Sequence, residues 1–512
     1  MRRKIMKRLA ILFALCSLVF TSCELDKFPA DKQVMDTALE TLSDMEKFEV
    51  GTYAAFRSAC NVVIKPSDFQ ADYMNAVNQY TNVYGGIHNW TYETNDYDVY
   101  DVWDYAYWAI ANANFVLSKK DAITYDKENP AEVELFNNIL GEMYFVRAMC
   151  HFIILDKFAG AYDSATATAE ASGIPMIMTF DSQAMPTRST MEQSYEGIIG
   201  DLNEAETLLK NVTGEKNSLA ISADVVAAAK ARVYLQKKDY KNAYKYATDV
   251  IKTNNYALID NAEGLKDMFT YDAGDEVIFV FYASKTELSA FGSSQFVSDQ
   301  YSRGDNYKPD MIPTQTIIDL YADNDIRKEA YFLQTSAGIC EIAGEKLSTP
   351  IYLFNKYPGN PDLQTTAGTK NYVNAVKLFR VAEMYLIAAE AGLNGGGSNA
   401  AQYLNDLRTS RGLEALESVT MADVKEERVR EMIFEGNRLS DLKRWGDTLL
   451  PRSNVQTAKG ANGADFRIVS TGPNFDQFTV KAGDFRFVWP IPANEIFANQ
   501  NLASQQNPGW TN

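Results

Sequence analysis

The stretch KLFRVAEMYLIAAEAGLNGGG, residues 377–397, decides the fold class. Leu378, Val381, Ala382, Tyr385, Ala388 and Ala389 recur at three-to-four spacing, while Arg380, Glu383 and Glu390 fall on the opposite side. That spacing predicts an amphipathic helix facing a core, with its charges turned away from it. The run Gly395-Gly396-Gly397 ends the helix, Ser398 is placed to cap the next, and Ala400, Tyr403, Leu404 and Leu407 continue the stripe to Arg411-Gly412. Two antiparallel helices across a short turn follow. A third starts at the capping box Thr420-Met421-Ala422-Asp423 and turns Val429, Met432, Ile433, Leu439, Leu442 and Trp445 inward before Gly446. Each helix buries only one face alone, so the three must stack on others.

Upstream, AAAKARVYLQKKDYKNAYKYATDVI, residues 227–251, places Ala231, Tyr234, Tyr240, Ala243, Ala247 and Val250 in much of the tetratricopeptide pattern, with Lys238 where a turn glycine is common. Helix pairs near 40–115, 135–210, 221–254 and 378–411 would form a short solenoid, stable only by stacking. Ser189-Thr190-Met191-Glu192 reads as another capping box. The predicted fold is mainly α: a tetratricopeptide-like helix-pair scaffold with irregular, loop-rich inserts and a few short β-strands. Inserts fall at 256–375 and 450–485, an aromatic loop at 69–97, and strands at the run Val277 to Tyr282 and at Arg486 to Pro490.

Three segments also resemble a known family: RVAEMYLIAAEA at 380–391, ERVREMIFEGNRLSDLKRWG at 427–446 and WPIPANEIFANQNLASQQNPGW at 489–510. In this order they are similar to the C-terminal half of SusD/RagB-type lipoproteins, surface nutrient-binding partners of TonB-dependent outer-membrane transporters. The resemblance implies one SusD-like domain over residues 23–512, with a helical part to about 255 and an insert-bearing part from about 256. It also implies a TonB-dependent, SusC-like barrel as partner.

Residues 1–22 read as a secretory signal: Arg2, Arg3, Lys4, Lys7 and Arg8, then an apolar run from Leu9 to Phe20 that is too short to span a bilayer. Thr21-Ser22-Cys23 resembles a bacterial lipobox, so Cys23 is the expected lipid anchor, and Glu24 and Asp26 resemble the family's signal for the outer face. Acyl chains contribute roughly 0.8 kcal/mol per buried methylene, enough for several to tether a protein permanently. Cys60, Cys150 and Cys340 make neither a disulfide framework nor a metal pattern and read as core residues. With 67 acidic against 49 basic residues and a net charge of −18, nucleic acid is not an expected partner.

Catalytic chemistry has little to work with. Only His88 and His151 are present, and His151 reads as a packing residue; no HExxH, GxSxG, P-loop or CxxC spacing occurs. No cofactor or metal is expected. A sugar needs flat rings for its C–H faces and short amides for its rim hydroxyls. Tyr73, Asn75, Asn78, Tyr80, His88, Asn89 and Trp90 supply that mixture, as do Phe291, Tyr301, Arg303, Asn306 and Tyr307. The expected function is capture of a nutrient, foremost an oligosaccharide, at the outer surface of the outer membrane and delivery to the barrel. Alternatives are a peptide ligand, a tetratricopeptide scaffold for a protein partner, and a surface glycosidase acting through paired carboxylates.

Overall fold

Successive helices pack on one another in chain order, and the computed structural model describes them over residues 38–288, 292, 306–366 and 368–511. The principal ones are α1 (Leu42–Val62), α2 (Tyr97–Lys119), α3 (Pro130–Phe158), α4 (Met191–Leu208), α5 (Ala223–Gln236) and α6 (Tyr240–Lys252). Helix α6 lies against α7 (Val381–Leu393), which pairs with α8 (Ala400–Ser410), so the stack skips the insert between them. Because α3 touches α1, α2 and α4, its apolar residues point to more than one side. It is long and apolar enough to cross a bilayer, yet most of it is buried inside the protein.

Local chemistry explains the helix starts. Thr41 with Asp44, Thr190 with Gln193 and Thr420 with Asp423 form reciprocal capping boxes, each satisfying two otherwise unpaired N–H groups. In the second box the returning side chain is Gln193, one residue beyond the predicted motif. Ser398 does not cap α8: Asn399 occupies that position in the left-handed region, and the Ser398 carbonyl accepts from the Tyr244 hydroxyl.

The strands tie distant segments together. Strand β1 (Met74–Ala76) pairs antiparallel with β3 (Met311–Pro313), and β2 (Val277–Val280) with β4 (Lys377–Arg380). The second pair corrects the expectation of helix from Leu378: the apolar run at 277 needs a ladder partner, and α7 begins only at Val381. Residues 486–490 are not the expected strand; Phe485–Phe487 is a 3-10 turn that delivers Trp489 to full burial, its indole N–H donating to Gln70 Oε1 at 2.7 Å. The expected third helix is two, α9 (Met421–Met432) and α10 (Arg438–Trp445). Between them Phe434 and Gly436 have φ of 62° and 74°, and a Cβ at Gly436 would meet Ile64 Cα at 3.3 Å. Gly446, also left-handed, ends α10 as predicted.

The largest departure concerns charge. Arg380, Glu383 and Glu390 are fully buried, not turned to solvent. Arg380 reaches Glu276 and Glu431, both at 2.9 Å, and Glu435. Arg411 joins Glu276 at 2.7 Å and Glu431 at 3.0 Å, while Arg327 joins Asp325, Glu427 and Glu431. Glu383 pairs with Arg232 of α5, and Glu390 with Arg444 of α10. Burial would raise the Glu431 carboxyl, but the guanidiniums of Arg411, Arg380 and Arg327 overcome it and hold the group well below its ordinary value.

Candidate functional site

A small core separate from the helical one supports the candidate site. Val77, Ile312, Cys340, Ile342, Leu353, Ile468 and their neighbours are buried together, gathered from the aromatic loop and from both inserts. Val77 bridges Val469, and Tyr307 bridges Cys340. The half-buried rings of Tyr80 and Tyr307 pack on this core. Three chain segments must therefore be in place before the two rings share a support.

Around Tyr80 the backbone is unusual. Gln79, Asn82 and Tyr84 have φ of 60°, 65° and 55°, in the left-handed region that non-glycine residues seldom enter. Such conformations cost about 1 kcal/mol or more each and concentrate at functional loops. Several bonds hold them. The Tyr80 hydroxyl donates to Asn82 Oδ1 at 2.7 Å and accepts from Asn89 Nδ2 at 3.5 Å. Thr81 donates through N and Oγ1 to the Asp310 carboxylate at 2.9 and 2.6 Å, while Val77 N–H donates to the Asp310 carbonyl. Gly85 leaves room for the Asn82 amide, since a Cβ there would lie 2.0 Å from Asn82 Oδ1. Phe475 meets Tyr80 edge-on with ring centres 5.9 Å apart.

Of the residues the sequence nominates, the structure gathers some and withdraws others. Asn78 and Asn89 are half-buried beside Tyr80, and Asn306 is exposed next to Tyr307. Tyr73, Asn75, His88 and Trp90 are interior and offer no free face. Tyr73 donates to Asp68 and meets Phe354 and Phe434 edge-on. Asn75 Nδ2 donates to the Arg452 carbonyl at 2.9 Å. Trp90 packs on Phe478 and Phe487 and donates its indole N–H to the Gln70 carbonyl at 2.9 Å. His88 lies 3.0 Å from the Phe69 carbonyl through Nδ1 and 3.0 Å from Arg452 Nη1 through Nε2. The Nε2 thus accepts and the ring is neutral; burial first, then the Arg452 charge, hold its pKa well below the usual value. Rings beside amides suit sugars, but the same composition also suits the seam between a loop and its core, which is where these four lie. Phe291, Tyr301, Arg303 and the expected anchor Cys23 lie outside the described residues.

His151 is buried too, accepts from Ile177 N–H at 3.0 Å, and is lowered to about 3 by burial and Arg147. Neither histidine is placed to move protons at the surface. Among the described residues no group of three or more His, Cys, Asp or Glu could hold a metal ion. Residues that sequence reasoning did not select are Thr81, Asn82, Asp310 and Phe475. Asn82 carried a signal in its tolerance of the left-handed region; Phe475 carried none, because its meeting with Tyr80 spans almost 400 residues of chain.

Comparison with known proteins bears on the chain and its fold as a whole. A family model described as starch-binding, associating with the outer membrane, matches residues 25–235, and the SusD family model matches residues 324–510. The chain is 23% identical over 407 residues to a SusD-like protein of Formosa agariphila, covering 70% of this chain and 74% of that one. It is 32% identical over 136 residues to the starch-binding protein SusD of Bacteroides thetaiotaomicron, covering 26% of this chain and 21% of that protein. A crystal structure of a SusD superfamily protein from B. thetaiotaomicron superposes with a TM-score of 0.74 at 24% identity, covering 91% of this chain and all of that one.

Proposed function

The chain belongs to the SusD/RagB family, and from that membership we propose that it captures a glycan at the cell surface on the Tyr80–Tyr307 face and hands it to a TonB-dependent outer-membrane barrel. In this reading Cys23 carries the lipid that holds the protein to the membrane, and no chemical step is performed on the ligand. The family's glycan-binding, outer-membrane character supports the class of ligand and the place.

The observation that carries the proposal is the rigidly held Tyr80. Its hydroxyl is tied to Asn82 and Asn89, its loop to Asp310, and its ring edge to Phe475. An aromatic plane fixed in this way receives the apolar face of a pyranose at little entropic cost, and the amides of Asn78 and Asn89 beside it, with Asn306 next to Tyr307, supply partners for hydroxyls. Phe291, Tyr301 and Arg303 belong to the same proposal as residues from the insert.

Isothermal titration calorimetry with panels of α- and β-glucans tests it. Tyr80→Ala and Tyr307→Ala are expected to weaken binding of the recognised glucan at least tenfold, about 1.4 kcal/mol. A glucan bound equally well by both variants removes this face from the proposal. Detergent extraction of the full-length protein, followed by affinity capture, is expected to bring down a large β-barrel; capture of the protein alone counts against delivery.

A further inference from the structure

A second concavity, lined by none of the residues proposed for the glycan face, runs along the outer side of α2. Its first hollow, about 370 Å³, is bounded by Trp103 and Tyr107 of α2, by Gln183 and Met185 of the 159–190 connection, and by Glu495 and Asn499 of the C-terminal segment. Tyr107 is anchored by its hydroxyl to the Pro175 carbonyl at 2.7 Å, and Met185 is 60% exposed. Among the described residues that line the hollow, Glu495 is the only Asp, Glu, Lys, Arg or His. Its carboxylate accepts from the Trp103 indole, is raised by burial and then by the nearby Asp104 charge, and makes no ion pair among the described residues. Arg188, whose charge acts on Tyr107, donates through Nε to the Gly173 carbonyl and through Nη1 to the Gln505 carbonyl and Asn507 Oδ1. A desolvated carboxylate between aromatic walls, with no counter-cation, is complementary to an organic cation.

The concavity continues past Ala111 into a second hollow of about 320 Å³, bounded by Trp108, Phe115 and Phe180 and by no charged side chain. Trp108 is 49% exposed and meets the exposed Tyr105 ring edge-on with centres 6.2 Å apart, so the two rings present an apolar face at the surface. The α2 residues of the two hollows are centred four to five positions apart, roughly 7 Å along a helix at about 1.5 Å per residue. That matches the spacing of residues i and i+2 in an extended chain, roughly 6.7 Å. We propose that the paired hollows bind an extended basic peptide segment of the pattern Lys/Arg-x-apolar, its cation on Glu495 and its apolar side chain against Trp108. The proposal is independent of the glycan face and stands or falls separately from it.

The test is calorimetric titration of the full chain with three capped tripeptides: lysyl-alanyl-leucine, norleucyl-alanyl-leucine and lysyl-alanyl-alanine. Replacing lysine by its uncharged isostere norleucine is expected to weaken binding at least tenfold, and replacing leucine by alanine about fivefold. Glu495→Gln is expected to reproduce the first loss and Trp108→Ala the second. Ala498→Lys, a change at an exposed position on the first hollow, is expected to abolish binding by supplying a tethered cation; it keeps the proposal falsifiable if Glu495→Gln does not fold. Equal binding of the lysine and norleucine peptides, unchanged binding in Ala498→Lys, or no heat with any peptide would overturn the proposal. So would a glucosamine oligomer that binds the hollow more tightly than the lysine peptide, because the ligand would then be an amino sugar.

Discussion

The helical stack from α1 to α6 and the region around α9 solve the same packing problem with different atoms. Between α3 and α4 the interior is mostly carbon: Met143, Val146, Ile198, Leu202 and Ala205 are fully buried, and among the described residues a single buried ion pair, Arg147 with Asp201, joins the two helices. Around α9 the interior is charge: Arg327, Arg380 and Arg411 interleave with Glu276, Glu427 and Glu431, all with fully buried side chains. Apolar contact is forgiving of small shifts, whereas a buried charge missing one partner is costly. The second arrangement therefore fixes one geometry where the insert, α7 and α9 meet.

The largest effect expected from this contrast is at Glu431, which three guanidiniums share. Glu431→Ala leaves Arg380, Arg411 and Arg327 short of a counter-charge inside the protein and is expected to cost about 3–5 kcal/mol, read from the denaturant midpoint. Ile198→Ala, in the carbon interior, is expected to cost about 2–4 kcal/mol by lost transfer and an unfilled cavity. The contrast sharpens with a replacement that also removes the charge partner. Glu431→Leu together with Arg411→Met should recover much of the single-mutant loss, whereas no second change recovers Ile198→Ala except restored volume. A double variant as unstable as the sum of its singles would show that the charges are not coupled.

Acid separates the regions next. The carboxyls of Glu427, Glu431 and Glu435 are opposed by burial but held below their ordinary values by arginine and lysine partners. Their stabilising contribution is complete above the unfolded carboxyl value of about 4.3 and is lost as pH falls through the lower folded values. Asp201 in the stack is raised, by burial more than Arg147 compensates, so its contribution has the opposite sign and is lost as pH rises through the folded value. Hydrogen exchange at pH 3 is thus expected to release α9 amides before those of α3 and α4. Simultaneous release would mean that the charged region is not the acid-sensitive one.

The same contrast governs what could be read from sequence. The stack was legible because carbon packing leaves a three-to-four period in Ile198, Leu202 and Ala205 and in Tyr240, Ala243 and Ala247. The helix pairs and the Thr420 cap followed from that, whereas α4 is capped by Thr190, one residue past the box expected from Ser189. Around α9 the period misleads: Arg380, Glu383 and Glu390 look like a wetted face, and only their distant partners Glu276, Arg232 and Arg444 show otherwise. No local pattern encodes a pair separated by 104 residues. At the candidate site the difficulty was similar. Composition pointed to the 69–97 loop, but whether a ring faces water or the seam depends on Gln70, Arg452 and Phe487 beneath it. Trp90 and His88 are turned inward by those contacts, and Tyr80 stays half-buried.

The smallest effect compares one motif in both settings. Thr190 starts α4 in the carbon region and Thr420 starts α9 in the charged one, each closing a capping box on the residue three further along. Thr→Ala at a cap costs about 1 kcal/mol because an N–H group of the first turn loses its acceptor. Both changes are expected to cost the same within a few tenths, since each box is exposed and Glu427 lies seven residues beyond Thr420, past the turn that frays. Thermal unfolding of the two variants checks this. A loss at Thr420→Ala several times that at Thr190→Ala would mean that loosening the first turn of α9 shifts Glu427 and Glu431 off their arginines, and that the charged interior tolerates less movement than its depth along the helix suggests.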